Sequence, residues 1–236
     1  MMRARLKAAA REIIAAFDLS GLPPGNKITP TNLVDALDVF FDDCERIDRD
    51  YGPTAEVLAE DVNGITDQIF ECLHDLGNWA DRFKLRNARV AVIDISLEAA
   101  QWCMRHRGQL HQIGPVVAAL ANRTNSAGSL EACIALSDAY EAVIANVAAR
   151  LQVDHTSTDP LRPWRQLLIN AAIVSTRSRD LGKMERAYRR LETHLPSECP
   201  AFFQQAAHQV AGLGFSPEAR ALVQARNVKW TSRGRA

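Results

Sequence analysis

Apolar residues recur at every third or fourth position along nearly all of this 236-residue chain, and that rhythm restricts its fold more than any other property. Residues at i, i+3, i+4 and i+7 share one face of a helix, whereas a half-buried strand needs strict alternation. Leu6, Ala10, Ile13 and Phe17 mark a first helix. Beyond the breaker Gly21-Leu22-Pro23-Pro24-Gly25-Asn26-Lys27, Thr31 is placed to cap a second, with stripe Leu33, Leu37, Phe40, Cys44 and Ile47 and an acidic opposite face, closed by Tyr51-Gly52-Pro53. A third carries Leu58, Val62, Ile65, Ile69, Leu73 and Leu76, expected to end near Gly77 or to resume through Trp79.

A strand competes only at Val90 to Ile95, which is apolar and β-branched. The wider stripe Ala88, Val92, Ile95, Ala99 and Cys103 outlasts an ordinary strand, so a helix is expected there. Leu110, Ile113, Val117 and Leu120 predict the next helix, and Ser129 caps a long one through Cys133, Leu136, Tyr140, Val143, Val147 and Leu151. After a polar linker over 154–160, Trp164, Leu167, Ala171 and Val174 line one helix and Leu181, Met184, Tyr188 and Leu191 the next. The short Arg179-Asp180 link makes those two antiparallel neighbours. Pro200 and Ser216-Pro217 open two more, with Phe203, Ala206, Ala207 and Val210, then Ala219 and Leu222. The fold class is all-α, with about ten helices forming antiparallel hairpins.

No apolar run approaches the ~20 residues that cross a bilayer, and the start is amphipathic, with Arg3, Arg5, Lys7, Arg11 and Glu12 among its apolar residues. No membrane association is expected. The five cysteines, Cys44, Cys72, Cys103, Cys133 and Cys199, are widely spread and lack a CxxC, as in core positions of a cytoplasmic, reduced protein. Net charge is zero, yet residues 31–81 hold fourteen acidic residues against Arg46 and Arg49, and residues 161–236 hold thirteen Lys and Arg against five acidic residues. Opposite charge at the two ends favours complementary partners or head-to-tail self-association, although a charge run is more often a solvated face.

Candidate chemistry is sparse. Asp67, Glu71, His74 and Asp75 share a helix face, and Glu71-Cys-Leu-His74 has the spacing of a di-iron ligand pair; the second Glu-x-x-His that such a bundle requires is absent. The plain reading is solvated acids beside a surface histidine. Cys103, His106 and His111 can converge at one hairpin corner as zinc ligands, although Arg105 and Arg107 oppose a cation there. Their plain reading is a buried thiol with exposed histidines. Nucleophile-elbow, HExxH, Walker and dinucleotide signatures are missing, so no cofactor is inferred. Arg179, Arg186, Arg189, Arg190 and Trp230 form a basic, aromatic group suited to a partner or to nucleic-acid phosphates and bases.

Gly182-Lys183-Met184-Glu185-Arg186-Ala187-Tyr188 and Ser216-Pro217-Glu218-Ala219-Arg220-Ala221-Leu222 resemble second helices of tetratricopeptide-like repeats. Trp164 and Leu167 have the spacing of such a repeat's opening apolar pair, and Pro196 follows the hairpin. Leu168 departs from the pattern, and no period of about 34 residues runs through the chain. The resemblance covers the last third and implies a TPR-like stack of hairpins that binds a protein or peptide. The expected organisation is one continuous domain with an N-terminal helix and linker over 1–30, an acidic-to-neutral helical region over 31–153, a basic hairpin region over 161–227 and a basic tail over 228–236. The functional expectation is a scaffold or adaptor for a protein or peptide partner. The alternatives are a helical-bundle enzyme or metal protein using Glu71 and His74, and nucleic-acid binding through the basic C-terminal region.

Overall fold

The computed structural model describes residues 2–23, 28–54, 59–152, 162–212 and 214–233. The expected linker over 154–160, Leu58, residues 24–27 of the first breaker and residues 234–236 of the expected tail lie outside the described residues. Among the described residues the regular structure is eleven α-helices and one 3-10 turn, so the chain is all-α. Contacts group it into two units, Met1–Asn122 with Ala145–Gln152 and Arg123–Ile144 with Val153–Ala236.

The first unit begins with α1 (Met2–Leu19), α2 (Pro30–Tyr51), α3 (Ala59–Arg82) and α4 (Arg86–Arg105). Helix α1 lies against α2 and α4, and α3 packs on both α2 and α4. Leu6 and Ile13 of α1, Leu33, Leu37 and Phe41 of α2, Ile69, Phe70 and Leu76 of α3, and Val92 and Ile95 of α4 are all buried. Each large side chain removed from water in this way contributes about 1.5–3 kcal/mol. Val90 to Ile95 is helical, as the long stripe predicted. Helix α2 is capped two residues earlier than expected: the Thr29 side chain accepts from Asn32 N at 3.3 Å, and Pro30, with no N–H to satisfy, takes the first helical position. Phe41 rather than Phe40 is fully buried; it lies four residues from Leu37 and three from Cys44, so it keeps the helical spacing as well.

Ten helices become eleven through one local event. Leu110 is not the start of a helix but an extended, fully buried residue bridged to Val147. Its N–H donates to Asn146 O at 2.8 Å and its carbonyl accepts from Ala148 N at 3.1 Å. Capturing those backbone groups delays α5 to Gly114–Ser126 and divides the long helix expected up to Leu151 into α6 (Leu130–Asn146) and α7 (Ala149–Gln152). Helix α3, by contrast, runs through Gly77 without a break.

The second unit holds most of α6 with α8 (Pro163–Ser178), α9 (Leu181–His194), a 3-10 turn over Pro196–Glu198, α10 (Cys199–Val210) and α11 (Pro217–Arg233). Helices α8 and α9 pack as the predicted hairpin. Arg179 takes the left-handed conformation (φ 57°), and the Asp180 side chain accepts from Lys183 N at 2.9 Å to begin α9. Tyr188, Phe202 and Phe203 meet edge to face, with ring centroids 5.1–5.9 Å apart. Val223, not Leu222, is the buried residue beside Ala219 in α11. That helix continues through much of the stretch read as a tail, and Trp230 is buried within it. Among the described residues no helix is long and apolar enough to cross a membrane.

Candidate functional site

The acidic stretch of α2 is partly neutralised within its own unit. Arg3 pairs with Asp38 and Asp42, Lys7 reaches Asp38 at 3.1 Å, and Arg5 pairs with Asp94 and Glu98 of α4. With fourteen Lys and Arg against eighteen Asp and Glu, the first unit carries −4, and the second, with fourteen against ten, carries +4.

The polar face of α3 leaves Glu71, His74 and Asp75 exposed, and part of it also docks the segment that follows α4. Three of its residues, each four apart, hold the segment between α4 and α5. Asn63 Oδ1 accepts from Gln109 N at 2.7 Å, Asp67 Oδ2 lies 3.5 Å from His111 Nδ1, and Glu71 Oε1 accepts from Gln112 Nε2 at 3.2 Å. His74 comes next, facing the start of α5 across a cavity. Burial raises the Asp67 carboxyl above its ordinary value, and the neighbouring His111 works against that rise. Glu71 and His74 therefore serve different neighbours although they sit one turn apart.

Cys103, His106 and His111 do not converge. His106, expected to be exposed, is fully buried, with Nε2 2.6 Å from Asp48 Oδ1 of α2. Cys103 faces Asn63 and the backbone at Gly108, and burial pushes its thiol up to about 11. His111 is turned to Asp67. Among the described residues no group of three or more His, Cys, Asp or Glu side chains is arranged to hold a metal. Four of the five cysteines are buried and Cys72 is half-buried.

The basic group of the second unit is largely engaged in packing. Arg190 Nη1 lies 2.6 Å from Glu141 Oε1, with Arg186 Nε 3.8 Å from the other oxygen. Arg179 lies over the Phe215 ring at 5.1 Å. Trp230 Nε1 donates to Glu192 Oε1 at 2.8 Å, so this indole anchors α11 on α9 instead of standing ready to stack on a base. Arg189 is exposed.

The first unit holds a cavity of about 240 Å³ between α3, α4 and α5, lined by Leu73, His74, Arg89, Ile93, Ser96, Gly114, Pro115 and Ala118. Three features suit it to a ligand. Ser96 is completely buried, yet its Oγ has no hydrogen-bond partner, an unusual state for an interior hydroxyl. Helix α5 opens into the cavity at Gly114, and the preceding Ile113 has no side-chain oxygen to cap the first amides. The Arg89 guanidinium also lines the wall, its Nε held by Asp81 Oδ2 at 2.8 Å. Of the polar residues in this set, only His74 stands out in the sequence. Ser96 lies in an apolar stripe, and nothing in its spacing says that its hydroxyl goes unmet.

No family model, curated protein or solved structure matches the chain.

Proposed function

We propose that this protein is a helical adaptor that binds a protein or peptide partner, with the cavity between α3, α4 and α5 receiving one group of that partner. The observation that carries the reading is the buried Ser96 hydroxyl, which lacks an intramolecular partner on the wall of a cavity. An interior hydroxyl without a hydrogen bond costs stability, so a wall that carries one, on a cavity also lined by the start of α5, suits occupation by a ligand. The volume fits a side chain or chain end rather than a folded domain.

Chemistry at Glu71 and His74 has less support, since Glu71 is bonded to Gln112 while His74 borders the cavity. Nucleic-acid binding has less as well, because Arg186 and Arg190 share Glu141 and Trp230 is buried.

The test compares immobilised full-length protein with its Ala118→Trp variant as baits for a lysate. Ala118 lines the cavity, so the indole fills it. A partner retained by the parent and lost by the variant, with both baits equally helical by circular dichroism, supports the receptor role. Recovery of the same proteins by both baits rejects it.

A further inference from the structure

We infer that the cavity between α3, α4 and α5 is a carboxylate site, taking a carboxylate carried on a short aliphatic chain, whether a free acid or the end of a polypeptide. The inference rests on the receptor reading above and names the group received.

Charge sets the sign of the ligand. The lining side chains include one guanidinium, Arg89, and one imidazole, His74, but no carboxylate. The first turn of the 13-residue α5 adds the positive end of a helix dipole. Its amide donors at Gly114 and Val116 flank Pro115, which has none, and Ile113 supplies no side-chain acceptor. Ser96 Oγ, fully buried and unpartnered, adds a hydroxyl donor from α4. Donors from α4 and α5, with the His74 ring of α3, thus border a space whose lining residues include no carboxylate.

Size and lining set the rest. A volume of about 240 Å³ suits a small group. Leu73, Ile93, Pro115 and Ala118 make much of the wall apolar, so a short hydrocarbon chain is matched there. A phosphate dianion is matched poorly, because Arg89 is the only guanidinium in the lining and Asp81 already offsets part of its charge.

Gly77 and Asp81 are positioning residues. Asp81 fixes Arg89 Nε, and the guanidinium lies across Gly77 of α3, where an added Cβ would sit 2.6 Å from Nη1. The obstacle is the end of a flexible side chain, so Gly77→Ala moves Arg89 rather than unfolding the helix.

The experiment is amide NMR on 15N-labelled full-length protein, titrated with 4-methylpentanoate, 4-methylpentanamide, inorganic phosphate, and acetyl-Ala-Leu with a free or an amidated C-terminus. The carboxylates are expected to shift Gly114 and Val116, with the neutral amides at least about ten-fold weaker. Ser96→Ala should weaken carboxylate binding about ten-fold while leaving the melting temperature unchanged or raised, since the hydroxyl has no bond to lose. Gly77→Ala should likewise weaken binding without loss of stability. Whichever carboxylate binds more tightly, free acid or peptide end, identifies the source. Equal binding of acid and amide would overturn the carboxylate assignment while leaving the receptor reading intact, as would tighter binding of phosphate. Silence from every probe would overturn the assignment, and the Ala118→Trp comparison then judges the receptor reading separately.

Discussion

The Nε2 atom of His106, with its ring wholly buried at the end of α4, lies 2.6 Å from Oδ1 of Asp48 on α2. Trp102 Nε1 donates to that same oxygen at 3.0 Å. One carboxylate therefore satisfies two interior nitrogens of α4 and fastens it to α2. Asp48→Ala leaves both without this acceptor, and the expected loss is about 3 kcal/mol. Asp48→Asn keeps an acceptor oxygen and should lose less. Guanidinium unfolding at pH 7 measures both; a loss below about 1 kcal/mol for alanine would show that neither nitrogen depends on Asp48.

The turn after α4 tolerates no side chain at Gly108. A Cβ there would stand 2.6 Å from Cys103 Sγ, 2.7 Å from Asn63 Oδ1 and 2.9 Å from Val62 Cγ1. Val62 and Cys103 are core residues, and Asn63 holds Gln109 N, so none can retreat freely. Gly108→Ala should destabilise the protein by about 1–3 kcal/mol. The comparison is Gly64→Ala, where nothing lies within 4 Å and a mid-helix glycine is removed. That variant should gain about 0.5–1 kcal/mol. Thermal melts of the two variants should move in opposite directions.

What the sequence revealed and what it concealed follow from the range of the interactions. The three-to-four rhythm is a local property of single helices, so helix identity, the ambiguous Val90 to Ile95 included, was legible. Caps are almost as local, and Ser129 and Ser216 accept from Ala132 and Ala219 as their positions suggested. The Leu110 to Val147 bridge joins residues far apart in the chain, and no periodicity announces it. For the same reason Asp67, Glu71, His74 and Asp75 were visible as a polar face, while the contacts of Asp67 and Glu71 with the segment before α5 were not. The cavity is illegible on similar grounds. Its wall takes a few residues from each of three helices, and its decisive feature is that Ser96 meets nothing.

Acid should loosen α11 in a defined window. Burial alone would raise Glu192, but hydrogen bonds from Lys229 and Trp230, together with the Arg226 charge, hold its carboxyl below the ordinary 4.5. A carboxyl depressed in the folded state contributes stability that is fully present above its unfolded value and is lost as pH falls through the folded one. Glu192→Gln removes the charge and should cost about 1–2 kcal/mol at pH 7. The gap between parent and variant should hold down to about pH 4.5 and shrink below it. Urea unfolding at several pH values reads the gap; a constant difference down to pH 3 would show that the Glu192 charge is not what secures α11.

The last prediction concerns a polar pair inside the second unit. Ser137 of α6 and Ser175 of α8 bring their hydroxyls within 2.9 Å, and both residues are buried. Neighbouring Ala171, Ala172 and Ser178 give α8 a face of small residues, which lets another helix come close. In such a contact each hydroxyl needs the other, because the surroundings are largely apolar. Replacing one serine by alanine leaves the opposite hydroxyl without this partner, and each single variant should lose about 1–2 kcal/mol. Replacing both removes the need along with the bond. The double variant should therefore lie closer to the parent than the sum of the singles, with a coupling of about 1 kcal/mol or more. Additive losses would mean that each hydroxyl finds another partner, and that the small-residue contact alone holds the helices at their spacing.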